Sequence, residues 1–265
     1  MRVDNQIIDS HCHLDFLDED EGIVIKRAEE AGVGSMLTIG TSLNATEKII
    51  SIAEKNTNVW CTIGTHPHES SKELSPENLK KLETLAAHPK VVGLGETGLD
   101  FYYNNSDKES QIKSFKNHIE VAKKIDLPIV VHSRSAEKET ASMLNSASKN
   151  EEIKGLIHCF SGSKELAESV LEIGFYISIS GIVTFKNADA LREIVKKIPD
   201  ERLLVETDSP YLAPDPMRGK KNEPSFLTHT VDKIAELRNT SSEKIAKITT
   251  NNFFKLFQKA KSTIE

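Results

Sequence analysis

Six residues able to ligate a metal ion occur along the chain in the order His11, His13, Glu96, His132, His158 and Asp208, each just after a short apolar run with strand character. This pattern restricts the fold most, because residues from the whole length of the chain must share one place. Runs rich in β-branched residues span 6–9, 35–39, 59–63, 91–95, 129–131, 155–157, 175–179 and 203–207. Between them, segments 22–31, 45–55, 75–87, 109–125, 137–146, 163–173 and 188–198 carry helical spacing. Strands alternating with helices permit an open doubly wound sheet or a closed barrel. In an open sheet the residues after the first and last strands would lie far apart. A shared site therefore predicts an α/β fold closed as a TIM (β/α)8 barrel, with the metal site at the C-terminal ends of the strands.

The 265 residues suit one such barrel, which takes about 250, so residues 1–265 read as a single domain. The Pro- and Gly-containing stretch 209–226 is too long for an ordinary βα loop and reads as an active-site loop. Segment 241–261 reads as a terminal helix that closes the barrel against the first strand.

A formal charge of −6 disfavours a surface that wraps duplex nucleic acid, but leaves room for a short, local phosphate contact. Asp4 and Asp9 fall where a secretory leader would carry its apolar core, and no run approaches the ~20 apolar residues of a membrane span. A cytoplasmic protein is expected, with no membrane contact and no obligate protein partner. Cys12, Cys61 and Cys159 are odd in number and far apart, which predicts buried thiols rather than disulfides. Without a G-x-G-x-x-G after the first strand, a Walker loop or a C-x-x-C pair, no redox or nucleotide cofactor is indicated.

His11 and His13, two apart on a strand, project from one face and can reach one ion at ~2.0–2.2 Å. His132 and His158 are abrupt polar endings to apolar strands, as are Glu96 and Asp208. Buried without a partner, each would cost a few kcal/mol. Four imidazoles with two carboxylates differ from a closed Cys-rich cage and leave positions open to water on two divalent ions. Ions ~3.5–4 Å apart would share a bridging carboxylate and activate water, so the implied reaction is hydrolysis. Zn²⁺, Mn²⁺ and Mg²⁺ all remain candidates.

Asp9-Ser10-His11-Cys12-His13-Leu14, Gly64-Thr65-His66-Pro67-His68, Gly93 to Asp100, His132-Ser133-Arg134, His158 to Gly162 and Glu206-Thr207-Asp208-Ser209-Pro210 follow one another over nearly the whole chain. This ordered series resembles the signature blocks of the TatD-related deoxyribonuclease family. The resemblance implies a metal-dependent hydrolase on a TIM barrel of the amidohydrolase superfamily, acting on DNA from its 3′ end. Carried over, it puts His11, His13 and Asp208 on one metal, His132 and His158 on the other, and Glu96 between them. Asp208 then doubles as general base or proton shuttle, or serves as a ligand alone, with Glu96 and His66 as further catalytic residues.

For the substrate, His66, His68, Arg134, Arg218 and Asn222 are the candidate contacts, the last two forming the family's Arg-x-x-x-Asn pair. Single-stranded DNA ends or short nucleic acid are the expected partner. Arg134 offers a planar fork for phosphate, or a salt bridge to a carboxylate. Phe101, Tyr102 and Tyr103 can stack on bases or pack their loop; Asn222 and Glu223 can instead brace the 209–226 loop. Glu206 shares a face with Asp208 and can stand as an acid behind the ligands, with no assigned step. The alternative is an ester or C–N hydrolase acting on a small molecule or an aminoacyl nucleotide, because fold does not determine substrate. A non-catalytic metal-dependent binding module is the third reading.

Overall fold

The computed structural model describes residues 6–149 and 151–263; Asp4 lies outside them. Eight parallel strands run in sequence order around one sheet: β1 (Ile7–Cys12), β2 (Val33–Ile39), β3 (Val59–Ile63), β4 (Val91–Asp100), β5 (Ile129–Arg134), β6 (Gly155–Ile157), β7 (Tyr176–Ile179) and β8 (Leu203–Val205). β1 and β8 meet at their C-terminal ends. There the Asp208 N–H donates to the His11 carbonyl (2.9 Å) and the His13 N–H to the Ser209 carbonyl (2.8 Å). Asp9 reinforces the seam by accepting from the Thr207 N–H (3.0 Å) and hydroxyl (2.6 Å). The protein is a TIM-type barrel.

Helices pack outside the strands, and their starts follow ordinary capping chemistry. Helix Pro76–Leu85 has Ser75 as its cap, accepting from the Asn78 N–H, and a proline in its first turn. Asp107, Ser163 and Ser241 cap three others in the same way. Each such cap contributes about 1 kcal/mol.

Strand alternation divides the buried side chains into two layers. Ile8, Leu37, Trp60, Val92, Val130, Leu156, Tyr176 and Leu204, one or more from every strand, fill the barrel interior with Phe253, Leu256, Phe257 and Ala260. The latter come from the helices Ser242–Leu256 and Gln258–Lys261 and the residue between them, so the C-terminal segment plugs the interior rather than merely flanking β1. Asn252 ties it to β8 by donating to the Leu203 carbonyl (2.9 Å), and the Thr250 hydroxyl donates to the Gln6 carbonyl (2.7 Å).

β1, β4 and β5 are longer than the apolar runs suggest, so His11, Glu96 and His132 lie within strands rather than after them. Helix Leu227–Leu237 has no counterpart in the helical segments read from the sequence. It lies between the 209–226 loop and the terminal helix and buries Leu227, Val231 and Ile234 on one face.

Candidate metal centre

Ordinary alternation carries three of the ligand candidates inward. Val130 and His132 share a face of β5; Leu156 and His158 are likewise two apart, as are Leu204, Glu206 and Asp208. β1 and β4 need an irregularity. Ile8 faces inward, and strict alternation would send His11 outward, but a register slip between Asp9 and Cys12 reverses the phase. Cys12 thereby joins the outer layer and His11 and His13 point to the axis. In β4 two slips offset each other: one between Val91 and Gly93 leaves Val92 inward and Leu94 in the outer layer, and a second between Leu94 and Thr97 turns Glu96 back inward. Glycine is required beneath it: a Cβ on Gly64 would stand 2.6 Å from the Gly95 Cα, and one on Gly95, at φ +129°, 2.5 Å from the Val130 carbonyl oxygen. Asp208 itself has φ +57°, a conformation aspartate tolerates better than most residues.

The two oxygens of Glu96 face different partners. Oε2 lies 3.4 Å from His11 Nε2 and 3.9 Å from His13 Nε2, and Asp208 Oδ1 stands 3.6 and 3.5 Å from the same two nitrogens. Oε1 lies 2.9 Å from His132 Nδ1, 2.8 Å from His158 Nε2 and 3.4 Å from His66 Nε2. The ligand atoms of His11, His13 and Glu96 lie within 4.8 Å of one another, as do those of His11, His158 and Asp208, and of His66, Glu96 and His132.

The outer nitrogens show what the inner ones are for. His13 Nδ1 faces the Ile39 carbonyl (3.3 Å), His132 Nε2 faces Asp100 Oδ2 (3.4 Å) and His158 Nδ1 faces Glu206 Oε1 (3.4 Å). A proton on each outer nitrogen leaves inner lone pairs converging on carboxylate oxygens and on one another, with His11 and His13 Nε2 only 3.3 Å apart. Acceptors facing acceptors in a buried site fit a shared cation, and the outer carboxylates are the usual orienting partners of metal-bound histidines. His66 differs. Its Nδ1 accepts from the His68 N–H (3.1 Å), so the proton sits on Nε2 and the ring offers a donor to the cleft rather than a lone pair.

The electrostatics follow from this crowding. Burial pushes the Glu96 carboxyl up, but His158, His66, His11 and His132 together hold it well below its usual range. Burial opposes charge on His158, yet Glu96 and Glu206 raise it; Asp100 and Glu96 raise His132 against the same burial, and Asp208 and Glu96 raise His13. His11 and His66 are lowered, chiefly by burial. Asp208 is held low despite burial by His13, His11 and His158. Asp9 is pushed up to about 7 by burial, against the bonds it accepts from Thr207 and His11.

A cavity of about 550 Å³ opens over these groups and is lined by His13, His66, Glu96, His132, His158 and Asp208, with His68 and Arg134 at its side. This is a ligand-sized volume. Arg134 is exposed, its guanidinium 4.5 Å from the centre of the Tyr102 ring and 4.7 Å from that of Tyr103. His68 is held by Asp100 Oδ2 (3.0 Å). Two sequence candidates lie elsewhere. Arg218 stacks on Phe185 (3.9 Å) and lines a separate cavity with Lys186 and Asp215. Asn222 is buried and gives its amide to the Thr207 and Tyr211 carbonyls, bracing the 209–226 loop as its alternative reading expects.

Sequence reasoning missed Asp100, which serves His68 and His132 through Oδ2 and the Tyr102 and Tyr103 N–H groups through Oδ1 (2.9 Å each). Its only signal is an acid closing the apolar Gly98-Leu99 pair. Glu206, left without a step, is fully buried and also accepts from the Cys159 N–H (2.7 Å).

A barrel that gathers imidazoles and carboxylates from five of its strands and their C-terminal edges belongs to the class of metal-dependent hydrolases. The pattern of the TatD related DNase family matches residues 8–258, and the chain belongs to that family. It is 39% identical over 254 residues to the metal-dependent hydrolase YabD of Bacillus subtilis, covering 95% of this chain and 99% of that one. The 3′-5′ ssDNA/RNA exonuclease TatD of Erwinia tasmaniensis is 38% identical over 245 residues, covering 90% and 94%. Among solved structures, the TatD homologue YjjV of Escherichia coli K12 superposes with a TM-score of 0.89 at 30% identity, over 97% and 99% of the two chains.

Proposed function

We propose that this chain is a two-metal phosphodiesterase that trims single-stranded DNA or short nucleic acid from the 3′ end, in the cytoplasm. The observation that carries the reading is the pair of Glu96 oxygens, one facing His11 and His13, whose inner nitrogens also face Asp208, the other facing His132 and His158. The first set would hold one divalent ion and the second the other, with Glu96 between; Zn²⁺, Mn²⁺ and Mg²⁺ all suit such ligands. Bound there, the ions supply Lewis acidity and lower the pKa of a coordinated water. The Erwinia relative's action on ssDNA and RNA supports a phosphodiester substrate. Three free cysteines suit a reducing compartment.

The chain's own residues divide the remaining work. Asp208, ionised and at the edge of the cavity, takes the proton from the attacking water. His66, kept neutral by burial with its proton on Nε2, donates a hydrogen bond to a phosphate oxygen. Arg134 at the cavity mouth pairs with a neighbouring phosphate.

Metal-loaded protein should be offered a 5′-labelled single strand, bis(p-nitrophenyl) phosphate, and simple amides and lactones. Shortening of the strand from its 3′ end, with Asp208→Asn slower by about 10²–10⁴, is the expected result. Turnover of an amide or lactone with both phosphodiesters inert would overturn the reading.

A further inference from the structure

Four aromatic side chains are prominently exposed among the described residues: Phe16 (38%), Tyr102 (63%), Tyr103 (54%) and Tyr211 (55%). Phe16, Tyr103 and Tyr211 line the mouth of the metal cleft and Tyr102 packs beside Tyr103, so the four form two groups. Phe16 stacks on the His13 ring (5.1 Å between centres) and Tyr211 meets the same ring edge-on (6.3 Å), beside the Asp208 half. Tyr103 meets the His68 ring (5.6 Å) and Tyr102 (5.0 Å), with the Arg134 guanidinium against both tyrosines, beside the His132 half.

Each group is fixed to the centre by its backbone. The Phe16 N–H donates to the His13 carbonyl (3.1 Å) and the Tyr211 N–H to the Asp208 carbonyl (2.9 Å). The Tyr102 and Tyr103 N–H groups both bond Asp100, the carboxylate facing His132. Exposed aromatic faces held in place on two sides of one cavity are pre-organised for flat, unpaired rings, because order that is present before binding need not be acquired on binding. Bases within a duplex have their faces occupied by neighbours and cannot use them.

We propose that the two nucleotides on either side of the scissile phosphate stack on opposite walls, one on Phe16 and Tyr211 and the other on Tyr102 and Tyr103. The inference rests on the phosphodiesterase reading and adds to it a structural demand: the strand end must present two unpaired bases. Selection of single strands then arises from the walls and not from the metal ligands.

The test uses the metal-loaded full chain and single strands carrying 2-aminopurine at the last or the penultimate position, next to a cleavage-resistant linkage. Binding should quench both positions. Phe16→Ala with Tyr211→Ala should restore fluorescence at one, and Tyr102→Ala with Tyr103→Ala at the other, whereas Tyr102→Phe with Tyr103→Phe should keep the quench. In turnover, an abasic residue at either position of an otherwise cleavable strand should raise KM by about ten-fold or more, with kcat much less affected. If normal strands are cut but abasic and normal ends share one KM, or no position is quenched, the stacking inference is wrong and the phosphodiesterase reading stands. If neither the strand nor bis(p-nitrophenyl) phosphate is cut, that reading fails and the stacking with it.

Discussion

At the scale of single residues, the geometry turns on which nitrogen of each histidine is committed elsewhere. His13, His132 and His158 each direct one nitrogen to an outer acceptor, which leaves the other for the centre. Asp100 matters most among those acceptors because it also holds His68. Asp100→Asn should keep the fold but weaken metal binding by about 10–100-fold, read by competition with a chelator; an unchanged affinity would show that Asp100 serves only the loop. The six ligand candidates were legible in the sequence because a polar residue ending an apolar strand demands a partner. Asp100 was not, since nothing in its spacing shows that it faces a histidine on the neighbouring strand; Glu206 was legible as sharing a face with Asp208, but not as the partner of His158 two strands away. Asn222 and Arg218 sit in a motif whose loop conformation decides their reach, and the carbonyls of Thr207, Pro210, Tyr211 and Ala213 that they bond are not marked by the motif's spacing.

At the scale of elements, the segment after β3 that supplies His66 depends on a buried histidine of the helix that follows β4. His118, on helix Lys108–Ile125, accepts from the Thr65 N–H through Nε2 (3.1 Å), and its Nδ1 bonds the Ser114 carbonyl (2.8 Å). Burial pushes its pKa down to about 4 from an ordinary 6.5, so the folded protein keeps it neutral. The unfolded chain binds this proton at higher pH than the folded one. The stability that neutral His118 contributes is therefore complete above pH 6.5 and lost as pH falls towards 4, about 3 kcal/mol in all. Urea unfolding of the wild type and of His118→Gln between pH 4 and 7 should show a steeper acid loss in the wild type. Parallel curves would refute the assignment. Elements were legible where period and caps agreed, as in Pro76–Leu85. The ends of β1 and β4 were not, because the register slips that carry His11 and Glu96 inward break the alternation on which such reading relies. Helix Leu227–Leu237 lacks a side-chain cap at its start, unlike the helix Ser242–Leu256 that follows it.

For the whole molecule, closure and chemistry are one feature, since β1 and β8 are joined at His11, His13 and Asp208. The far end of the interior is sealed by the C-terminal segment. Phe253→Ala, which opens a space beside Trp60 and Phe257, should cost about 3–5 kcal/mol in a denaturant titration; a loss under 1 kcal/mol would mean that the plug is dispensable. The barrel itself was predictable from six ligands needing one location. The plug was not, because a terminal helix with a buried stripe can cover either an outer face or an open end of a barrel.

The central claim is that hydrolysis depends on metal held between these histidines and carboxylates. Protein stripped by a chelator should be titrated with Mn²⁺ while bound metal and cleavage of a 5′-labelled single strand are followed together. The account predicts no cleavage in the stripped protein and activity that rises to a plateau as two ions per chain are bound. Cleavage that persists without metal, or two ions bound with the strand left whole, would contradict it.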